Sequence, residues 1–411
     1  MPTRKKNALA VIGLIFISTQ VRAEFDASIG YEARVFTEKK FSGLGESAAL
    51  LFEIDYSTSI GDNQAGDAKI DVLYDEIDEN RRFVNVAELK WSYYAGQWEY
   101  RLGVDTVFWG VVESENIVDI INPRNIAADP EGDTKLGQAM INMRYSFGSS
   151  TVDAYILPGF REPIYADFGE ILSPLLPIGE ATYESSSENQ RIDSAVRFAT
   201  IMGDLDIALS HFSGNSRVPI FKSGLINGGV DGVRLGLIPN YYVIDQTGLE
   251  LQYLSGNSAY KLEAISRHED SERYAAAVFG IEYTSTGVLG TKVDVGWVGE
   301  YLFDDRGNEA PGFYEHDYAV AARINFNSPN SAIALLKAVY DPHSGETIFA
   351  LESSFRFSQN ILISFDSQFI DAKEPEIQKF SDVLELLNSD DDKLSQFNHH
   401  DYIQLRVDFY Y

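Results

Sequence analysis

The chain has 411 residues, with 33 Lys and Arg against 62 Asp and Glu, a formal net charge of −29 and no cysteine. That acid excess disfavours a nucleic-acid partner, which needs clustered positive charge, and the missing cysteines exclude disulfide frameworks and thiolate metal sites. Hydrophobic residues make up 45% of the sequence, including 25 Phe and 23 Tyr, yet no apolar run is long enough to span a bilayer as a helix.

Residues 1–23 open with Arg4, Lys5 and Lys6, continue through an apolar run from Ala8 to Ile17 and end on the small residue Ala23. This is the layout of a secretory signal peptide, so a mature chain is expected to begin near Glu24. Losing Arg4, Lys5, Lys6 and Arg22 leaves it more acidic still.

Strands are then predicted wherever apolar residues recur with a period of two. The first runs from about Ala27 to Phe36 and the second from Glu46 to Ile60, where Leu50, Phe52, Ile54 and Tyr56 alternate with Leu51, Glu53 and Asp55. Asp67–Ile77, Phe83–Ala95 and Gln97–Phe108 follow, then Leu136–Phe147, Ser150–Pro158, Arg191–Ile201 and Asp204–Phe212. The second half supplies Tyr241–Ser255, Ser258–His268, Tyr274–Ser285, Thr291–Phe303, Asp317–Asn327, Ala332–Tyr340, Thr347–Phe357 and Asn360–Ile370. The chain closes on Asp401–Tyr411, in which Ile403, Leu405, Val407, Phe409 and Tyr411 share one face.

Every second connection is tight, at Gly61–Gly66, Gly96, Gly148–Ser149, Gly203, Gly256–Asn257, Gly287–Gly290, Ser328–Ser331 and Gln359. Long connections at 109–135, 159–190, 213–240 and 371–398 all fall on the other side, the last with a short helix expected over Glu376–Leu387. Short periplasmic turns opposite long outer loops are the pattern of a bacterial outer-membrane barrel, and a soluble sandwich or propeller gives no reason for them. The expected fold over residues 24–411 is therefore an all-β, antiparallel, up-and-down transmembrane barrel of about eighteen strands, with about sixteen as the next choice. The expected location is the outer membrane of a Gram-negative bacterium. The expected partners are outer-membrane lipid and lipopolysaccharide, the barrel-assembly machinery reading the last strand, and a small polar solute.

Residues out of phase with the greasy positions should face the lumen. They include Glu53, Asp55, Glu88, Lys90, Glu99, Arg101, Asp105, Arg144, Asp193, Arg197, Lys261, Glu263, Arg267, Asp294, Glu300, Glu352, Arg356, Arg406 and Asp408. Opposite charges often stand two residues apart. They form either a salt-bridge lattice that stiffens the wall or a water-filled path with a transverse field for a polar solute, and the two are compatible. Asp304-Asp305, Glu374 with Glu376, and Asp390–Asp392 offer oxygen ligands without calcium-loop spacing, so no cofactor is expected beyond weakly bound divalent cations at acidic loops.

The segment after Phe108 is the least loop-like of the outer connections. It combines Trp109, expected at the membrane border, with Glu113, Glu115 and Asp119 beside apolar Ile117, Val118, Ile120 and Ile121, and ends in Asn122-Pro123-Arg124-Asn125. Apolar residues in a solvated loop need burial, and the nearest place is the barrel interior. Segment 109–125 is therefore expected to turn inward as a constriction or to cap the mouth.

Trp109-Gly110 with Glu113-Ser114, followed by Asp119-Ile120-Ile121-Asn122-Pro123-Arg124, resembles a motif of Gram-negative outer-membrane porin-like proteins, a broad group that includes the alginate-export type. Tyr241 to Arg267 is similar to a strand pair of the same group. The resemblance implies a barrel without implying a solute, and the acidity of this chain departs from the basic lumen expected of an alginate exporter. Three functions remain: a channel for small polar solutes or cations, a loop-sealed barrel for adhesion, assembly or gated export, and a membrane-face lipid hydrolase. The last has His211 and His268 near serines but no G-x-S-x-G elbow, so no enzyme is expected.

Overall fold

Alternating apolar and polar residues can satisfy their backbone groups inside a lipid bilayer only if the sheet they form has no open edge. The computed structural model describes residues 21–37, 45–129, 132, 134–166, 168, 173–174, 176–227, 232–307, 310, 315–374, 393–397 and 400–411. Among these the strands are β1 (Val21–Phe36), β2 (Glu46–Ile60), β3 (Gln64–Asp75), β4 (Phe83–Ala95), β5 (Trp98–Asp105), β6 (Gln138–Phe147) and β7 (Ser150–Pro158). They continue with β8 (Thr182–Tyr183), β9 (Ile192–Met202), β10 (Leu205–Asn215), β11 (Ile220–Asn227), β12 (Val233–Tyr241), β13 (Val243–Ser255) and β14 (Ser258–Glu269). The last are β15 (Glu272–Ser285), β16 (Asp294–Asp304), β17 (Tyr318–Asn325), β18 (Ile333–Tyr340), β19 (Thr347–Ser358), β20 (Ile361–Asp371) and β21 (Tyr402–Tyr410).

All but β8, β11 and β12 form one 18-stranded antiparallel sheet. β1 pairs with β2 on one side and with β21 on the other, from Ser28↔Tyr410 to Phe36↔Tyr402, so the sheet is a closed barrel. Side-chain alternation sorts the two faces. Ile29 and Phe52, directly opposed, are exposed outward, while Ser28, Glu32, Arg34 and Asp408 are buried inside. At the short-turn end the outward face carries an aromatic belt in which Trp98 meets Tyr145 at 4.5 Å and Tyr253 stacks on Tyr260 at 6.3 Å. Amphipathic rings favour that depth, between lipid tails and water. Gly96, with φ of 65°, makes the turn from β4 to β5 in a conformation that a side chain would strain.

Several boundaries differ from the sequence reading. β1 begins at Val21, ahead of the mature start expected at Glu24, and β3 begins at Gln64 rather than Asp67. The segment 213–240, expected to be an irregular Gly-rich loop, contains the β11–β12 hairpin, joined by β8 from 159–190 in a separate three-stranded sheet. Gly224 faces Gly236 across that hairpin, and a Cβ on Gly236 would come within 2.5 Å of the Pro177 carbonyl. These glycines therefore serve close backbone packing, not flexibility. The helix expected over Glu376–Leu387 lies outside the described residues, as does the acidic run Asp390–Asp392.

Candidate channel constriction

β5 ends at Asp105, short of the expected Phe108, because polar side chains there take the main chain off the ladder. Asp105 Oδ1 accepts the Lys90 ammonium at 2.8 Å and the Thr106 N–H at 3.0 Å. Asn122 then closes the neck of the connection. Its Oδ1 accepts the Val107 N–H at 2.8 Å, and its Nδ2 donates to the carbonyls of Asp105 at 3.0 Å and Leu136 at 2.9 Å. One buried amide thus ties together both ends of a connection that leaves β5 and returns to β6.

Between those ends the chain lies inside the barrel. Trp109, Val118, Ile120 and Ile121 pack against inward residues of successive strands, among them Met140, Leu157, Phe212, Ile244, Ile265 and Tyr274. Farther around the wall, Val112 meets Val278, Leu302 and Ala319. The barrel strands from β6 to β17 thus carry apolar side chains on the inner face at this level, and the loop is what covers them. Trp109, expected at the membrane border, is instead 2% exposed in this interior cluster, edge-on to Tyr155 at 5.9 Å. A tryptophan ring in the core of the loop contributes more buried apolar area than any neighbour, which explains the displacement.

The loop tip has no secondary structure, so its backbone donors need outside partners. Three wall carboxylates supply them. Glu250 on β13 accepts the Gly110 N–H at 3.2 Å. Glu263 on β14 accepts Val111 at 2.6 Å, Val112 at 3.2 Å and Val118 at 3.4 Å. Glu300 on β16 accepts Glu113 and Ser114, both at 2.8 Å. Gly110 has φ of 143°, and a Cβ there would lie 2.0 Å from Asn116 Oδ1 and 2.9 Å from Glu263 Oε1, so the W-G dipeptide is a packing requirement of this clamp.

The charged residues singled out in the sequence are mostly paired. Glu113 meets Arg323 of β17, whose other side reaches Glu282 at 3.3 Å, and Glu282 also holds Lys261 at 3.0 Å. Asp119 is bound by Lys135 at 2.5 Å, with Arg124 at 3.7 Å. Burial pushes its carboxyl above the ordinary value even though both cations pull it down. Arg197 forks onto Glu250 at 2.7 and 2.8 Å, and Arg101 pairs with Glu99 at 2.7 Å. Arg144 holds Asp153 at 2.8 Å, Arg267 donates to Gln246 at 2.7 Å, and Arg406 to Asp408 at 2.9 Å. Glu115 is half-buried on the loop. Arg356 does not join the constriction. It is exposed beside the last short turn, over the Tyr410 ring at 5.5 Å, because it lies at the end of β19. Asp294, expected in the lumen, also serves a short turn, accepting the Gly287 N–H at 2.9 Å.

Two arginines outside the reading complete the frame. Arg81, in a 3-10 turn after β3, is 1% exposed and holds Glu32 at 2.6 Å and Asp75 at 2.7 Å. Arg217, following β10, is 3% exposed and joins Asp193 at 2.7 Å to the Ile121 carbonyl at 3.0 Å. Arg81 stands beside Arg82 and Arg217 stands alone, both in connections, so no alternation marked either as inward. Glu250 was also missed, although its alternation with Leu249 and Leu251 marks it as inward.

Opposite the loop the lumen stays open and polar. A cavity of about 590 Å³ lies among β1 to β4, β19 to β21 and the loop, lined by seven carboxylates (Glu32, Glu53, Asp71, Glu88, Asp129, Glu352, Asp366) and four cations (Arg34, Lys69, Lys135, Arg406). Of the acidic loop clusters, Asp304 is held by Arg306 at 2.6 Å, and Glu376 lies outside the described residues. The hydrolase residues separate: His211 is exposed outward, whereas Ser210 is buried on the inner face.

No protein-family model and no curated protein matches this chain. Among solved structures it is similar to a BenF-like porin of Pseudomonas fluorescens Pf-5, with a TM-score of 0.54 and 10% identity over 95% of this chain and 98% of that one. OccK2 of Pseudomonas aeruginosa, solved with glucuronate, gives 0.54 and 10% over 95% and 96%. OpdO of the same organism gives 0.53 and 9% over 95% and 96%. At such identity the likeness is one of fold, and the chain is a closed 18-stranded antiparallel barrel of the outer-membrane porin type.

Proposed function

We propose that the protein is an outer-membrane channel for the passive or facilitated passage of small polar solutes, with a preference for cations. The carrying observation is the division of the lumen. The 106–137 connection fills the apolar half, and the polar half keeps a cavity of about 590 Å³ with an excess of carboxylates. Fixed negative charge in a narrow aqueous path raises the local concentration of cations and repels anions. On this reading the loop sets the bore, and the carboxylates of the open wall set the selectivity. Glu113 and Asp119 act on the loop, since each is already ion-paired. No catalytic role is assigned. Export through the leader and recognition of β21 by the barrel-assembly machinery belong to the same proposal.

The test is single-channel recording of the refolded protein in a planar bilayer under a salt gradient. The expected result is a steady conductance whose reversal potential shows cation preference. Replacing Asp71 and Asp366 with Asn should reduce that preference, while Glu113→Gln should mainly alter current noise. A folded barrel without conductance would reject the channel in favour of a sealed barrel acting in adhesion or gated export.

A further inference from the structure

The outward wall of a membrane barrel is expected to carry large apolar side chains through its whole lipid band, since charge there is costly. Phe52 and Ile54 on β2, and Ile403 and Leu405 on β21, follow that rule. On β10, β13, β14 and β15 two consecutive cross-strand rows break it. The first is His211↔Thr247↔Ser266↔Ala275 and the second is Ser213↔Asp245↔His268↔Arg273. The row beneath, Leu209↔Leu249↔Ala264↔Ala277, ends in two alanines, and only the next, Ile207↔Leu251↔Leu262↔Phe279, is large and apolar throughout.

The first of the polar rows lies within the lipid band, and the second reaches its outer edge, next to the tight turn at Asp270-Ser271. Tyr253 and Tyr260 stack next to the short turn at Gly256 and mark its inner edge. With a rise of about 3.4 Å per residue and a tilt of about 45°, Thr247 stands roughly 14 Å beyond Tyr253, inside a band of about 25 Å. The charges pair with one another: His211 Nε2 lies 3.3 Å from Asp245, and Arg273 lies 3.5 Å from Asp245 while donating to Ser266 at 3.1 Å. Their side chains nevertheless remain 45% (His211), 47% (Asp245) and 52% (Arg273) exposed.

We propose that this face is covered in the membrane by a second copy of the chain. The small residues let two walls approach closely, and polar groups that meet across protein are satisfied there as they are not in lipid. Both signs of charge occupy fixed places, as a self-complementary contact requires: Arg273 of one copy can face Asp245 of the other. Acyl chains offer no hydrogen-bond partner, and a lipid phosphate is disfavoured because Asp245 stands between His211 and Arg273. The proposal rests on the reading that the barrel spans a membrane and is independent of whether it conducts.

The chain has no cysteine, so single-cysteine variants report proximity without background. Ala275→Cys, Thr247→Cys and, on the opposite wall, Leu405→Cys are to be treated with a short bismaleimide in intact outer membranes. Each variant is first shown to keep the heat-dependent gel mobility of a folded barrel. Ala275→Cys or Thr247→Cys is expected to give a covalent dimer that Leu405→Cys does not, and adding Arg273→Glu should lower the yield about tenfold by placing like charges across the contact. Equal yields at all three positions, or none at the patch positions, would overturn the proposal. A cross-linked but non-conducting barrel would remove the channel reading and leave this one standing.

Discussion

Replacing Glu263 probes how the loop is held. In Glu263→Leu the N–H groups of Val111 and Val112, and the longer contact from Val118, lose their acceptor at a buried site. Hydrogen bonds to a charged group contribute about 1.5–3 kcal/mol each, so losing two good ones costs about 3–6 kcal/mol of loop docking. Some is regained, because Glu263 stands directly opposite Glu250 in the ladder and the two like charges no longer meet. Glu263→Gln is the control, keeping a neutral acceptor for Val111 and Val112 while turning an N–H toward Val118, at a cost of about 1–2 kcal/mol. Amide exchange through local opening converts about 1.4 kcal/mol into a tenfold change in rate. Val111 and Val112 should therefore exchange about 100-fold faster in Glu263→Leu and about tenfold faster in Glu263→Gln, with barrel amides on β2 and β21 unchanged. Equal exchange in all three proteins would show that the apolar cluster alone seats the loop and would refute the clamp.

Gly110→Ala should displace the tip, because the new Cβ would fall 2.0 Å from Asn116 Oδ1 at a φ of 143°; the readout is irregular, broadened single-channel current from a barrel of normal gel mobility. Asn122→Asp should loosen the loop neck more than Asn122→Ala, since it sets a carboxylate against the carbonyls of Asp105 and Leu136, and limited proteolysis within 106–137 measures this. At the outer rim, burial and the neighbouring Asp341 and Glu315 push Asp317 up to about 7. A carboxyl whose pKa is raised on folding contributes stability that is full below about pH 4 and lost as pH rises through about 7. Asp317→Asn should therefore raise the unfolding temperature at pH 8 relative to the native protein and flatten its dependence between pH 5 and 8.

The wall was legible because its physics is local. Alternation along Leu50 to Tyr56 and along Ile403 to Tyr411 reports which face meets lipid, and Gly96 or Gly203 reports where the chain reverses. The inward course of the loop was legible for a related reason, since Val118, Ile120 and Ile121 beside acidic residues have nowhere else to be buried. The partners of those acids were not legible. Pairing Glu113 with Arg323, or Gly110 with Glu250, depends on how the closed sheet brings distant strands together, and no spacing along the chain encodes it. The rule that inward residues are those out of phase with the greasy positions has no purchase on Ala275-Ala276-Ala277-Val278-Phe279, which runs without alternation. Such a run marks a strand covered on both faces.

That inner covering bears on how the barrel is made. Without the loop, the barrel would expose Leu157, Phe212 and Leu302 to water on its inner wall, which predicts that the loop serves as a mandrel on which the later strands wrap. The mandrel emerges early, after β5, while the seam between β1 and β21 waits for the last residues of the chain. Removing 106–137 should thus do more than widen a pore: it should take away the surface that the following strands assemble against.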